Sequence, residues 1–141
     1  MRIIDASLVV ALVTQDSRAP AVQALLDTWT AAAEELHAPE LLPYEVANGL
    51  TRASSAGNLP PRLVPTAWRW AMRIPLVYHP LRAGGETTCA IARRLDRQNA
   101  YDAAYLALAL ELRAEVWTLD KKLARDAGDL GYPVKLVDAA A

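Results

Sequence analysis

Short apolar runs alternate along the chain with longer stretches whose apolar residues recur every three or four positions. The first run, Arg2-Ile3-Ile4, reads as a strand that ends on Asp5. Residues 8–13 read as an apolar helix with Ser7 as its expected cap. Pro20 fits the first turn of a helix over 20–30, whose apolar face carries Val22, Leu25, Leu26 and Trp29. A short segment, Leu36-His37-Ala38, is closed by Pro39. The next helix, 41–53, has an apolar stripe of Leu42, Val46, Leu50 and Ala53, with Glu45, Asn48 and Arg52 sharing a neighbouring face. A turn cluster at 56–61 precedes a helix over 62–72. Its Trp68 and Trp70 lie two positions apart, so one of them is expected half exposed.

The second half repeats the alternation. Val77-Tyr78-His79 reads as a strand closed by Pro80, and a helix follows over 86–95. Its end is basic, with Arg93, Arg94 and Arg97. Asp102 opens a helical run in which Tyr105, Leu106, Ala109, Leu110 and Arg113 recur at three and four. Residues 115–119 alternate as a strand does and end on Asp120. A last helix over 121–127 is expected to stop at Gly128, and 134–137 reads as a final strand. Strands separated by helices predict an α/β fold with a parallel sheet covered on both faces.

Composition narrows the function more by exclusion than by suggestion. The 141 residues suit a single domain, expected over 1–138 with a tail at 139–141. A net charge of −1 neither predicts nor excludes a nucleic-acid partner, so local patches must decide. One cysteine, Cys89, excludes an internal disulfide and suits a reducing, cytoplasmic compartment. His37 and His79 are far apart in sequence and make no convincing zinc set with it. No apolar stretch reaches the ~18 residues of a membrane span. Asp5 precedes the first apolar helix and no small-residue cleavage site follows, which argues against a signal peptide.

The candidate chemistry lies in four acids: Asp5, Glu45, Asp102 and Asp120. Three of them sit where a strand or loop meets a helix, on what should be one edge of the sheet. Carboxylates gathered there would repel one another unless a cation lay between them. Oxygen donors without soft partners select Mg²⁺ or Mn²⁺. Such an ion can activate water toward a phosphodiester. Neither histidine has a nucleophile near it in sequence to suggest a competing triad.

The blocks Ile3-Ile4-Asp5-Ala6-Ser7, 38–48 (APELLPYEVAN), 101–109 (YDAAYLALA) and 118–123 (TLDKKL) resemble, in order, those of the PIN-domain nucleases. Within these they are most similar to the VapC-type toxins of VapBC toxin–antitoxin pairs. The resemblance implies a three-layer sandwich with a parallel five-stranded sheet flanked by helices. It implies that Asp5, Glu45, Asp102 and Asp120 form the catalytic quartet, with Asp5 and Asp102 as direct Mg²⁺ ligands. Thr118, Ser7 and Asn48 fall beside the site. Arg93, Arg94, Arg97, Lys121, Lys122 and Arg125 are the candidates for holding an RNA backbone. The implied activity is a toxin endoribonuclease that works as a homodimer and is restrained by a VapB-type antitoxin. Two alternatives are an RNA-processing PIN nuclease without an antitoxin and a silent PIN-like domain that only binds RNA or protein. The helix carrying Leu25, Leu26 and Trp29, with that of Leu42, Val46 and Leu50, is a possible apolar groove for a partner helix.

Overall fold

The structure is a computed structural model describing residues 1–82 and 84–139. Five short strands form one parallel sheet in the order β3-β2-β1-β4-β5. They are β1 (Arg2–Ile4), β2 (Leu36–Pro39), β3 (Val77–His79), β4 (Val116–Thr118) and β5 (Val134–Leu136). Helices α1 (Ala6–Thr14) and α2 (Ala19–Ala31) link β1 to β2. Helices α3 (Leu42–Ser55) and α4 (Val64–Ala71) link β2 to β3. Helices α5 (Gly85–Arg94) and α6 (Tyr101–Leu112) carry the chain back across the sheet to β4, and α7 (Lys121–Asp129) leads to β5.

The middle strand shows how the sequence builds three layers. Successive side chains of a strand point to opposite faces. Ile4 accordingly joins the core beneath α1 to α4, and Ile3 joins the core beneath α5 to α7. Both are fully buried. Strand order grows outward from β1 in one direction and then restarts on its other side at β4. The crevice between the carboxyl ends of β1 and β4 is therefore a topological switch point, where open α/β sheets take their ligands.

Several element boundaries differ from those expected, each for a local reason. The cap of α1 is Asp5, not Ser7: Ala6 is already helical and the Asp5 carboxylate accepts from the Ser7 amide at 3.0 Å. Helix α7 does not stop at Gly128. It continues to Asp129, and the chain reverses at Gly131, whose φ of +84° suits glycine. The apolar residues named for a possible partner groove belong largely to the core. Trp29, Leu42, Val46 and Leu50 are buried together, with Leu25 and Leu26 packed against them. Trp70 is the half-exposed tryptophan, while Trp68 packs on the core. Seven consecutive residues of α6, from Ala103 to Ala109, are buried, so this helix is enclosed rather than striped, although Leu110 is exposed. The last two residues of the expected tail lie outside the described residues.

Helix α3 approaches α1 closely because Gly49 has no side chain. A Cβ built there would lie 2.6 Å from Cγ2 of Val10. Val10 is stiff about its own χ1, so it cannot easily yield. Gly49→Ala should therefore lower stability by about 1 kcal/mol even though alanine is the better helix former. Thermal melts would show this as a lower Tm, recovered at least in part by Val10→Ala in the same chain. A single Gly49→Ala protein that melts higher than wild type would show that α1 and α3 have slack.

Candidate functional site

Strands β1 and β4 pair in parallel through Ile3 with Val116 and Ile4 with Trp117, so Asp5 and Asp120 follow the carboxyl ends of neighbouring strands. Hydrogen bonds between the two strand-to-helix turns fix this arrangement. The Asp5 amide donates to the Trp117 carbonyl at 3.2 Å. The Leu119 amide donates to Ser7 Oγ at 2.9 Å, and Ser7 Oγ in turn donates to the Asp5 carboxylate. Thr118 also hydrogen-bonds Asp5, and its Oγ1 accepts from the Asp120 amide at 3.0 Å. Asp120 caps α7 by accepting from the Leu123 amide at 3.0 Å. Ser7 and Thr118, expected beside the site, thus clamp its two acidic turns together.

The other two acids come from helices on opposite faces of the sheet. Glu45 lies in the first turn of α3 and Asp102 in the first turn of α6. A side chain that sequence reading treated only as helix packing connects them: Tyr105, 2 % exposed, donates its hydroxyl to Glu45 Oε1 at 2.6 Å. It follows Asp102 by three positions, and that spacing on a shared helix face was the available signal. Asn48 is exposed on α3, beyond Glu45 on the same face.

The four acids are electrostatically linked. Asp5 feels the charge of Glu45, Glu45 that of Asp102, and Asp102 that of Asp120. Burial raises the Asp5 carboxyl from 3.8 to about 6; hydrogen bonds from Ser7 and Thr118 pull it down, and the charge of Glu45 pushes it further up. Glu45 is raised chiefly by burial, against the Tyr105 hydrogen bond and with the charge of Asp102 adding. Asp102 is raised by burial, opposed by Arg97 and reinforced by Asp120. Tyr105 is pushed above its ordinary value by burial and by Glu45, so its hydroxyl remains a donor.

The donor set is hard oxygen throughout and fits a hard divalent cation. Among the described residues no three acidic, histidine or cysteine side chains stand close enough to hold one as they are arranged. The side chains are engaged elsewhere: Asp5 by Ser7, Glu45 by Tyr105, and Asp102 by Arg97 at 3.9 Å.

The basic candidates fall into distinct groups. Arg97, Lys122 and Arg125 all reach Asp126, at 3.4, 3.7 and 3.3 Å, an anchor that sequence reading did not single out. Arg97 is shared between Asp126 and Asp102 and is largely buried. Arg94 lies over the Tyr132 ring and donates to its hydroxyl at 2.9 Å, so it fastens α5 to the loop before β5. Arg93 and Lys121 are exposed. The two histidines, distant in sequence, meet across β2 and β3, with His37 Nδ1 2.8 Å from His79 Nε2.

The family model described as "PIN domain" matches residues 2–128. This chain belongs to the PIN-domain family. It is 31% identical over 140 residues to Ribonuclease VapC9 of Mycobacterium tuberculosis and to VapC ribonuclease Mb0985 of Mycobacterium bovis, covering 97% of this chain and 98% of each relative. It is also 31% identical over 130 residues to Ribonuclease VapC3 of Pyrobaculum aerophilum, covering 86% of this chain and 91% of that one. The crystal structure of PAE2754 from Pyrobaculum aerophilum shares the fold, with a TM-score of 0.61 and 21% identity over 89% of this chain and 78% of that one. No helix among the described residues is long and apolar enough to cross a membrane.

The buried Asp5 gives this PIN domain a specific pH dependence. Its folded value, about 6, lies above the ordinary 3.8, so the folded state holds the proton more tightly. That contribution is fully present below about pH 3.8 and is lost as pH rises through about 6. The displacement corresponds to on the order of 3 kcal/mol. In EDTA, wild type should lose several degrees of Tm between pH 4.5 and 7.5 relative to Asp5→Asn, which has no proton to release. Parallel curves for the two proteins would mean that Asp5 is solvated or already neutralised in the folded state.

Proposed function

We propose that this PIN domain is a metal-dependent endoribonuclease and the toxin of a VapBC-type pair, with Asp5, Glu45, Asp102 and Asp120 as its catalytic acids. The observation that carries the reading is the unbroken chain of repulsion linking those four carboxylates at the switch point of the sheet. Relatives named as VapC ribonucleases, matched over nearly their whole length, support the toxin assignment. The donor chemistry supports Mg²⁺, with Mn²⁺ able to substitute, held by Asp5 and Asp102. A divalent ion bound there would polarise the scissile phosphate and lower the pKa of an attacking water.

The chain's own groups would do the remaining work. Ser7 and Thr118 hold the Asp5 carboxylate in one orientation. Tyr105 occupies one oxygen of Glu45 and leaves the other to accept a proton from water. The raised proton affinity of Glu45 makes it a stronger base than an ordinary carboxylate. Asp120, fixed as the cap of α7, would orient water from the opposite side. Arg93 and Lys121 are exposed and suited to RNA phosphates, while Arg97 would chiefly position Asp102. The resemblance to VapC toxins supports a cytoplasmic homodimer restrained by a VapB-type antitoxin.

Purified protein should cleave RNA with Mg²⁺ or Mn²⁺, stop in excess EDTA, and lose cleavage by at least about 100-fold on Asp102→Asn with the fold retained. Full activity in EDTA would remove the metal mechanism, and an active Asp102→Asn protein would remove the assignment of the quartet. Co-expression with the product of a small adjacent gene should give a stable complex and relieve growth arrest. A chain that arrests no growth and co-purifies with no such product would favour an RNA-processing nuclease.

A further inference from the structure

A pocket of about 330 Å³ opens on the same edge of the sheet as the acids, one strand further out, at the carboxyl ends of β2 and β3. Tyr44 and Tyr101 line it and are 75 % and 56 % exposed, large aromatic surfaces to leave in water. Each directly precedes a site acid in sequence, Tyr44 before Glu45 and Tyr101 before Asp102. Successive helix residues point about 100° apart. The two helices that aim their carboxylates into the cleft therefore turn their tyrosines toward the neighbouring pocket. Pro80 and Leu108 add apolar walls, and Glu40 and Glu111 supply carboxylates.

We propose that this pocket takes a nucleobase of the RNA, unstacked and held against Tyr44 and Tyr101, close to the phosphate presented to the acids; the inference rests on the nuclease reading. Aromatic rings bind bases of single-stranded RNA by stacking, and the planar face of every base suits them. The pocket also has a chemical preference. Ionised carboxylates only accept hydrogen bonds, so Glu40 and Glu111 favour a base with an exocyclic amine over uracil, whose edge at that position carries oxygen.

The test uses 5′-labelled hexaribonucleotides, each carrying one 2-aminopurine in a cytidine background. Asp102→Asn protein should bind them, and 2-aminopurine fluorescence should be quenched at one position and not along the whole strand. In that background Tyr44→Ala or Tyr101→Ala should relieve the quenching, and Tyr44→Phe or Tyr101→Phe should preserve it. In the otherwise wild-type chain each alanine variant should lower kcat/KM for cleavage by about 5- to 100-fold. Trp70→Ala, an exposed aromatic far along the chain, should change nothing. An abasic residue at the quenched position should cost wild type what the tyrosine variants lose, with no further loss when the two are combined. Uracil there should be cut more slowly than cytosine or adenine.

Unchanged quenching and cleavage in both alanine variants would overturn the proposal. So would alanine variants that fall from dimer to monomer in light scattering while binding RNA as before, since a second copy would then occupy the pocket. Equal cutting at uracil would remove the role of Glu40 and Glu111. Quenching that depends on the tyrosines in a protein that cleaves no RNA would uphold the pocket and remove the nuclease reading.

Discussion

Like charges taken partly out of water repel, and this molecule has to hold four of them at one end of its sheet. Burial weighs most at Asp5, whose carboxyl is raised chiefly by its removal from water, with the charge of Glu45 adding the smallest part. Nothing in the acids themselves would keep them together. What holds them is the pairing of β1 with β4 and the hydrogen bonds across their two turns, through Ser7 Oγ and the Trp117 carbonyl. The cost of bringing the acids together is therefore borne by backbone pairing and by the two cores that clamp β1 from either face.

The arrangement also divides labour among the basic groups. Positive charge near a carboxylate cluster can screen it, bind an external anion, or fasten helices. Arg94 fastens, since its guanidinium lies on Tyr132. Arg97 screens, because it faces Asp102 on one side and is held back by Asp126 on the other. An arginine pulled in two directions moderates the charge of Asp102 without cancelling it, and Asp102 stays raised in spite of it.

The order of elements, and the place of two acids at the sheet edge, were legible in the sequence because both follow from local rules. A strand that ends on an acid before a helix places that acid at the sheet edge, as at Asp5 and Asp120. Boundaries were less legible where two residues compete for one role. Asp5 and Ser7 are both good caps, and only the position of Ala6 inside α1 decides between them. Gly128 and Gly131 are both plausible stops, and the positive φ falls at the second. Pairings between distant residues were not legible at all. Tyr105 with Glu45, His37 with His79, and the convergence of Arg97, Lys122 and Arg125 on Asp126 depend on how strands and helices are laid side by side. The possible partner groove was open for a related reason: an apolar helix stripe does not say whether core or partner covers it, and here the core takes Trp29, Leu42, Val46 and Leu50.

Helix α6 sets a length scale for the whole edge. It is enclosed along seven residues, four of them alanines at 103, 104, 107 and 109. Ala103 and Ala109 are fully buried, where added volume has to displace a neighbour, whereas Ala104 and Ala107 border the pocket beside Tyr101. Since Asp102 and Tyr105 ride on the same helix, a bulkier residue at Ala103 or Ala109 should shift a carboxylate and the hydroxyl that steadies Glu45. On the proposed reading, the chemistry is thus exposed to variation at positions away from the acids themselves. Sequence drift in this domain should be freer on the outer, solvent-facing side of α2 than among the small residues of its most buried helix, where function and packing are one constraint.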